Sequence, residues 1–337
     1  MADAELIELT RGPFTESRHR GHVAIATPEG GLVAALGAPE GVILPRSAAK
    51  MFQALPLVES GAADAFGLSS EELALACASH QAAEIHTRRV SAWLERLGLS
   101  DADLRCGPEM PRDEAARNAL VCSGGRPCQI HNNCSGKHTG FLTLTRHLGG
   151  GPEYIDPAHP VQEAVRAAFE EVTGAPSPGF GIDGCSAPNF ATRLADFARG
   201  LARFAEAAAG EAPAGVRGAA MARLYRAMVA HPELVAGEGR ACTRLMRAMG
   251  GRAAVKTGAE GVFAAIIPER RMGVAVKISD GAARGSEAVI AAVLIRLGVL
   301  DASDPVAKSL IDAPLRNRRG LEVGVIRAAE PLARLSL

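Results

Sequence analysis

Apolar and polar positions alternate near both ends of the chain and recur at helical spacing through its middle. Early on, "HVAIAT", "PEGG" and "LVAAL" read as two strands joined by a tight glycine-bearing turn. The C-terminal third repeats the theme. There "GVFAAII", "PERR" and "MGVAVKI" predict a second hairpin, followed by an apolar helix around Ala288 to Leu300 and an alternating strand in "LEVGVIRA". Between these regions Ser69 and Glu72 have the spacing of a capping box ahead of "LALACAS". "AAEIHTRRVSAWLERLG", "PVQEAVRAAFEEVTG", "NFATRLADFARGLARFAEAAAG" and "GVRGAAMARLYRAMVAH" carry apolar residues three and four apart, as helices do. Ala-, Gly- and Pro-rich stretches near 148 to 152, 174 to 179 and 210 to 215 read as loops. The simplest assembly is an α+β fold forming a single catalytic unit over 1–337. Its antiparallel sheet comes from both chain ends, approximately 1–50 and 240–337, with a helical lobe inserted over approximately 51–239.

Composition narrows the partners. The 337 residues include 37 Lys and Arg against 37 Asp and Glu, so no net field draws nucleic acid or an anionic membrane. A small neutral or zwitterionic molecule suits this balance better. The best apolar run, "AVIAAVLIRLGVL", is interrupted by Arg296 and too short to span a bilayer. "MADAELIELTRG" has acidic residues and none of the apolar core of a secretory signal, so a cytoplasmic location is expected. Seven cysteines, an odd number, suggest free thiols, metal ligands or small buried residues instead of a disulfide framework.

Four segments carry candidate chemistry. In "LPRSAAKMF", Ser47 and Lys50 would share a helix face, and a desolvated amine at 50 could take the hydroxyl proton at 47. As a plain N-cap Ser47 is less convincing, because Lys50 would then bring positive charge to a helix N-terminus. In "AVKTGAEGVFAAII", Lys256, Thr257 and Gly258 open a hairpin of the C-terminal sheet. An early Ser-x-x-Lys and a late Lys-Thr-Gly resemble the motifs lining the sites of serine β-lactamases and penicillin-binding proteins. Their Ser-Asp-Asn triplet is absent, which argues for a substrate other than a β-lactam. In "LACASHQAA", Ser79 could pair with Lys256; the bland alternative is a helix-end serine with a surface His80.

The fourth segment is "HNNCSGKH", where Cys134 and Lys137 stand at i and i+3, with "GIDGCSAPNF" offering Cys185 two residues after Asp183. Two thiolates are good soft ligands for zinc. A lysine nitrogen is a rare third ligand because its proton must leave first, so His131 and His138 are the conventional nitrogen donors. A cysteine nucleophile at 134 and inert buried thiols remain the other readings.

Taken together, "LPRSAAK", "CASH", "HNNCSGKHTGF", "GIDGCSAPNF", "VAGEGRACTRLM" and "KTGAEGVFAA" resemble the rhizobial-type, third-class L-asparaginases, the asparaginase II family. The resemblance implies a serine β-lactamase-like fold, a homodimer and hydrolysis of L-asparagine to L-aspartate and ammonia. It implies two Ser-Lys couples, Ser47 with Lys50 and Ser79 with Lys256. It also implies a zinc ion on Cys134, Lys137 and Cys185, and so selects the lysine over the histidines. Arg46 is then expected to clamp the substrate carboxylate, with Asp183, Asn133 and His80 recognising the amino end. A β-lactamase-like or peptidase-like hydrolase and a non-catalytic zinc-binding or thiol-sensing protein are the rival readings.

Overall fold

The computed structural model describes residues 2–212 and 215–337, so part of the loop expected at 210 to 215 lies outside the described residues. The chain folds into two compact units. The first takes the described residues up to Ala48, then Thr192–Ala212 and Arg244–Leu337; the second takes Ala49–Ala191 and the described residues of 213–243.

In chain order the strands are β1 (Ala4–Arg11), β2 (Phe14–Ala26), β3 (Leu32–Leu36), β4 (Val42–Ile43), β5 (Phe180–Ile182), β6 (Pro188–Phe190), β7 (Thr192–Arg193), β8 (Ala254–Thr257), β9 (Val262–Ile267), β10 (Met272–Ile278), β11 (Ala313–Arg316) and β12 (Glu322–Ala328). The first unit is built on one antiparallel sheet in the order β11-β12-β1-β2-β10-β9-β8, with β3 also paired to β2. The early hairpin is β2 against β3, Val23 opposite Leu36. The late one is β9 against β10, Ile267 opposite Met272. The two chain ends join where Val276 of β10 faces Val23 of β2 and where Ile7 of β1 faces Ala328 of β12. The architecture is therefore α+β, with an antiparallel sheet drawn from both ends of the sequence.

Every residue of β9 is buried, as its unbroken apolar run requires if both faces are covered. Helices Leu194–Ala209 and Ala283–Arg296 pack against it. Gly273 permits the first of these contacts: a Cβ there would stand 2.1 Å from the carbonyl oxygen of Ala198. Any side chain would push helix and sheet apart.

One expected element is shorter than its periodicity suggested. "NFATRLADFARG" reads as continuous helix, yet β6 and β7 occupy its first residues and the helix begins at Leu194. Pro188 and the strand-favouring Phe190 and Thr192 win locally, because each finds a pairing partner: Phe190 lies opposite Phe180, and Thr192 opposite Ile43.

The second unit is mostly helical, and its central element is the helix Ser135–Leu148, whose residues from Ser135 to Thr145 are all buried. The hydroxyls in such a helix need partners. Thr139, Thr143 and Thr145 donate back to the carbonyls of Ser135, Thr139 and Phe141, and Trp93 Nε1 donates to Thr143 Oγ1 at 3.1 Å. The capping box forms as expected: Glu72 N donates to Ser69 Oγ at 3.3 Å and Ser69 N to Glu72 Oε2 at 2.8 Å. It starts the helix Ser70–Ala76, which ends just before Ser79. Gly136 lets the two helices touch, since a Cβ there would lie 2.5 Å from the Leu75 oxygen. That close approach brings Ser79 and Cys134 to one place.

Among the described residues no helix is long and apolar enough to cross a membrane.

Candidate active site

Arg46, Ser47, Lys256, Thr257 and Gly258 belong to the first unit; Lys50, Ser79, His80, His131, Asn133, Cys134, Lys137, His138, Asp183 and Cys185 belong to the second. Ser47 sits partly exposed in the 3-10 turn Arg46–Ala49. Arg46 opens that turn at φ 52, a left-handed conformation that a residue with a side chain adopts at a cost, and such outliers concentrate at functional sites. Lys256 is fully buried at the end of β8, with Nζ donating to the Thr257 carbonyl at 3.0 Å. The turn and the strand end touch. A Cβ on Gly258 would lie 2.7 Å from the Pro45 oxygen and 3.3 Å from the Ala48 Cβ, so the glycine of Lys-Thr-Gly is what lets the Ser47 turn rest against β8.

In the second unit Lys50 begins the helix Lys50–Gln53 and is 1% exposed. Its amine has three neighbours: the Ala78 carbonyl, Ser79 Oγ at 2.9 Å and Cys134 Sγ at 3.0 Å. The carbonyl can only accept, whereas the hydroxyl and the thiol can either accept or donate. As an ammonium, Lys50 fills all three with its three protons. As a neutral amine it still serves the carbonyl and one other, and receives a proton from the third. Both protonation states are satisfied without any atom moving, which suits a group that exchanges protons with a hydroxyl.

The cysteines and the second lysine converge beside it. Cys134 caps the helix Ser135–Leu148, so Lys137 falls in its first turn, on the face expected from the i, i+3 spacing. Lys137 Nζ lies 3.1 Å from Cys185 Sγ, and Cys134 hydrogen-bonds to Cys185. That sulfur–sulfur bond, opposed by burial and aided by Lys137, holds the Cys185 thiol well below its usual range. The same bond and burial push Cys134 up. Burial pulls Lys137 down, but the charges of Cys185, Cys134 and Asp183 outweigh it and the net shift is upward. Two sulfurs and an amine thus face one another inside the protein, a donor set that one soft cation fits by replacing their shared protons. Among the described residues no three His, Cys, Asp or Glu side chains form a group able to hold a metal. Cys185 is presented by the turn between β5 and β6, a hairpin where sequence suggested only a loop. Ser186, at φ 68, and the Asp183 N to Ala187 O bond of 3.0 Å shape that turn.

The histidines divide by their partners. His131 Nδ1 accepts from Cys128 N at 3.0 Å, away from the cysteine pair. His138 Nδ1 meets the Tyr154 hydroxyl at 2.9 Å, while its Nε2 is buried with no protein partner. His80, expected as a surface residue if not functional, is fully buried. Ser135 spends its single proton on the Ile130 carbonyl, so it accepts from His80 Nε2, and Nδ1 accepts from Ala82 N. This fixes a neutral ring protonated at Nε2. Burial, then the neighbouring His86 and Lys50, hold His80 well below the usual imidazole value.

Asn133 receives the His80 N–H on its carbonyl, and Asp183 is half-buried in the β5–β6 turn. Sequence missed Glu109, whose carboxylate accepts from Asn133 N at 2.9 Å and Nδ2 at 2.6 Å. The prolines at 108 and 111 were the available sign of a rigid turn there. It also missed Cys106, which is buried, pushed up by burial and within electrostatic reach of Cys134 and Cys185; no spacing pointed to it.

Comparison with known proteins gives these residues a family. No curated protein sequence matches the chain. Among solved structures, Mglu in its native form aligns at 14% identity and a TM-score of 0.45, over 88% of this chain and 68% of that one. A beta-lactamase from Mycobacterium bovis aligns at 11% identity and a TM-score of 0.35, over 79% and 89%. The architecture stated above rests on the strand order and register and not on these two alignments. The sequence profile described as L-asparaginase II matches residues 7–328, from β1 to the end of β12 and through every segment described here. The chain belongs to the L-asparaginase II family and is an amidohydrolase.

Proposed function

We propose that the protein is an L-asparaginase, hydrolysing the side-chain amide of L-asparagine to L-aspartate and ammonia by Ser-Lys nucleophilic catalysis. Amides are poor electrophiles, so the reaction needs an activated nucleophile, a proton for the departing nitrogen and donors for the oxyanion. Ser47 attacks the amide carbon and Lys50, three residues along the chain, takes its proton. Ser79 and Lys256 carry that proton on toward the leaving ammonia, and water then cleaves the ester formed on Ser47, releasing L-aspartate and restoring the hydroxyl. Arg46 holds the substrate carboxylate, and Asn133 and Asp183 recognise its amino group; His80, expected from sequence to join them, has both ring nitrogens bonded within the protein and supports them from behind. The observation that carries this reading is the position of Lys50: a buried amine within bonding distance of a serine hydroxyl, with its contacts satisfied in either protonation state.

Zinc belongs to the same proposal, on Cys134, Lys137 and Cys185, where the bound ion would supply a fixed positive charge that stiffens the loop and polarises its neighbourhood. The facing sulfurs and the adjacent amine support that assignment. The Lys-Thr-Gly glycine against the Ser47 turn supports a serine β-lactamase-like arrangement. A homodimer is what the family resemblance implies, and sedimentation of the purified protein tests it; a cytoplasmic location belongs to the same proposal. The decisive assay is ammonia release from L-asparagine by the wild type and by Ser47→Ala. An unchanged rate in the variant defeats the mechanism.

A further inference from the structure

Within the second unit, the segment between Cys106 and Cys134 carries the helix Glu114–Cys122, which buries none of its residues. Its neck is closed by polar bonds. Gly107 N donates to Gln129 Oε1 at 2.9 Å, and Asn132 Nδ2 donates to the carbonyls of Cys106 and Gly107 at 2.9 and 3.0 Å. Glu109 lies in this neck. One carboxylate oxygen, Oε1, is taken by Arg112 at 2.8 Å, and the other, Oε2, accepts both N–H groups of Asn133. Burial raises the affinity of Glu109 for a proton, but the two Asn133 bonds and Arg112 outweigh it, so the group is a carboxylate.

A side-chain amide can face either way, and its environment decides which. A carboxylate only accepts, so Glu109 admits the NH2 of Asn133 and repels its oxygen. Oδ1 is thereby turned toward Cys134, whose Sγ lies 3.1 Å away. An amide oxygen has two lone pairs, so Oδ1 keeps one acceptor site free of that thiol. We propose that Glu109 is a positioning residue for the asparaginase reaction: it sets the flip of Asn133 so that Oδ1 presents an acceptor to the ammonium group of the substrate. This rests on the role given to Asn133 above. Gly107, at φ 75, and the prolines at 108 and 111 limit the conformations of the turn, and Arg112 anchors the carboxylate from outside, so the orientation is built in before substrate arrives.

The test separates the amino end from the amide end of the substrate. L-Asparagine and succinamic acid, which lacks only the α-amino group, are compared on the wild type, Glu109→Ala and Arg112→Ala. For Glu109→Ala, kcat/KM toward L-asparagine should fall by about ten- to a hundredfold, mostly through KM, with less than about a threefold change toward succinamic acid. Arg112→Ala, at a side chain 54% exposed and so tolerant of truncation, should shift KM for L-asparagine the same way by a smaller factor, and it carries the test if Glu109→Ala does not fold. Equal losses on both compounds, or none on either, overturn the inference. A wild type that releases no ammonia from L-asparagine overturns the asparaginase reading itself and this inference with it.

Discussion

Lys50 Nζ stands 2.9 Å from the hydroxyl oxygen of Ser79, so the amine that sequence spacing assigned to Ser47 is bonded to the second serine of the set. Lys50→Met keeps most of the stem and removes only the amine. It should lower kcat for asparagine by about 10²–10⁴, the usual worth of a positioned acid-base group. Stability should fall by only about 1–3 kcal/mol, chiefly from the Ala78 carbonyl left without its donor. Steady-state kinetics beside urea unfolding of the same preparation separates the two effects, and a kcat within a factor of three of wild type would remove Lys50 from the chemistry.

Cys185 carries the metal prediction. It is the sulfur nearest Lys137, at 3.1 Å, and is 3% exposed. Cys185→Ser replaces a soft donor by a hard one of similar size, so zinc content should drop from about one per chain to near zero. The substitution also strips Lys137 of its counter-charge. Leaving one member of a buried pair alone costs about 3–5 kcal/mol, so the melting temperature should fall even in metal-free buffer. Elemental analysis and thermal melts with and without chelator read both effects. A full equivalent of zinc retained by the variant would show that other residues bind it.

Buried imidazoles, His80 and His86 together with His138, steepen the acid limb of the stability curve. Burial holds His80 and His86 below the ordinary imidazole value, and their rings stack with centroids 5.0 Å apart, so a charge on either opposes one on the other. In the unfolded chain both titrate near about 6.5. Above that pH neither state binds the extra proton and stability from this source is level. As pH falls below it, the unfolded chain takes up protons that the folded chain refuses, and stability declines until the lower folded values are reached. Unfolding free energy should therefore be flat from about pH 7 to 8 and fall from about pH 6.5 to 5. His86→Gln keeps a donor for the Glu233 carbonyl and cannot titrate, so its slope over the acid range should be shallower. Urea titrations at half-unit pH steps check this, and an unchanged slope would assign the acid loss to other groups.

Sequence made the sheet legible because β2, β3, β9, β10 and β12 each carry a distinctive pattern, alternation or an unbroken apolar run between turn residues, which β9 and β10 bury. It made the cysteine–lysine face legible because Cys134 and Lys137 are three apart on one helix. What stayed hidden depended on contacts between distant segments. Nothing in "CGPEMPRD" announces that Glu109 grips Asn133, since a glutamate between prolines reads as a solvated turn. Nothing in "CASH" announces a buried His80, because that burial comes from Ser135 and His86, brought close by the packing at Gly136. β5 and β6 were missed for a related reason: short strands are held by their pairing, not by their own propensity.

Gly258 offers a way to move Ser47 without touching it. A Cβ at this position would meet the Pro45 oxygen at 2.7 Å and the Val262 Cβ at 3.0 Å, and the first of these is backbone with nowhere to rotate. Gly258→Ala must therefore displace the turn that carries Ser47 by a fraction of an ångström. Displacement of a reacting atom by about 1 Å can cost 10²-fold, so kcat should fall by about ten- to a hundredfold, while overpacking costs about 1–3 kcal/mol of stability. Gly273→Ala is the matched comparison. Its Cβ would stand 2.1 Å from the Ala198 oxygen, against the helix Leu194–Ala209 and not the Ser47 turn, so it should destabilise at least as much while the folded fraction keeps its kcat. Rates normalised to the folded fraction by active-site titration distinguish the two variants. Equal normalised kcat in both would mean that the contact between the Ser47 turn and the end of β8 supports the fold alone and has no part in aiming the nucleophile.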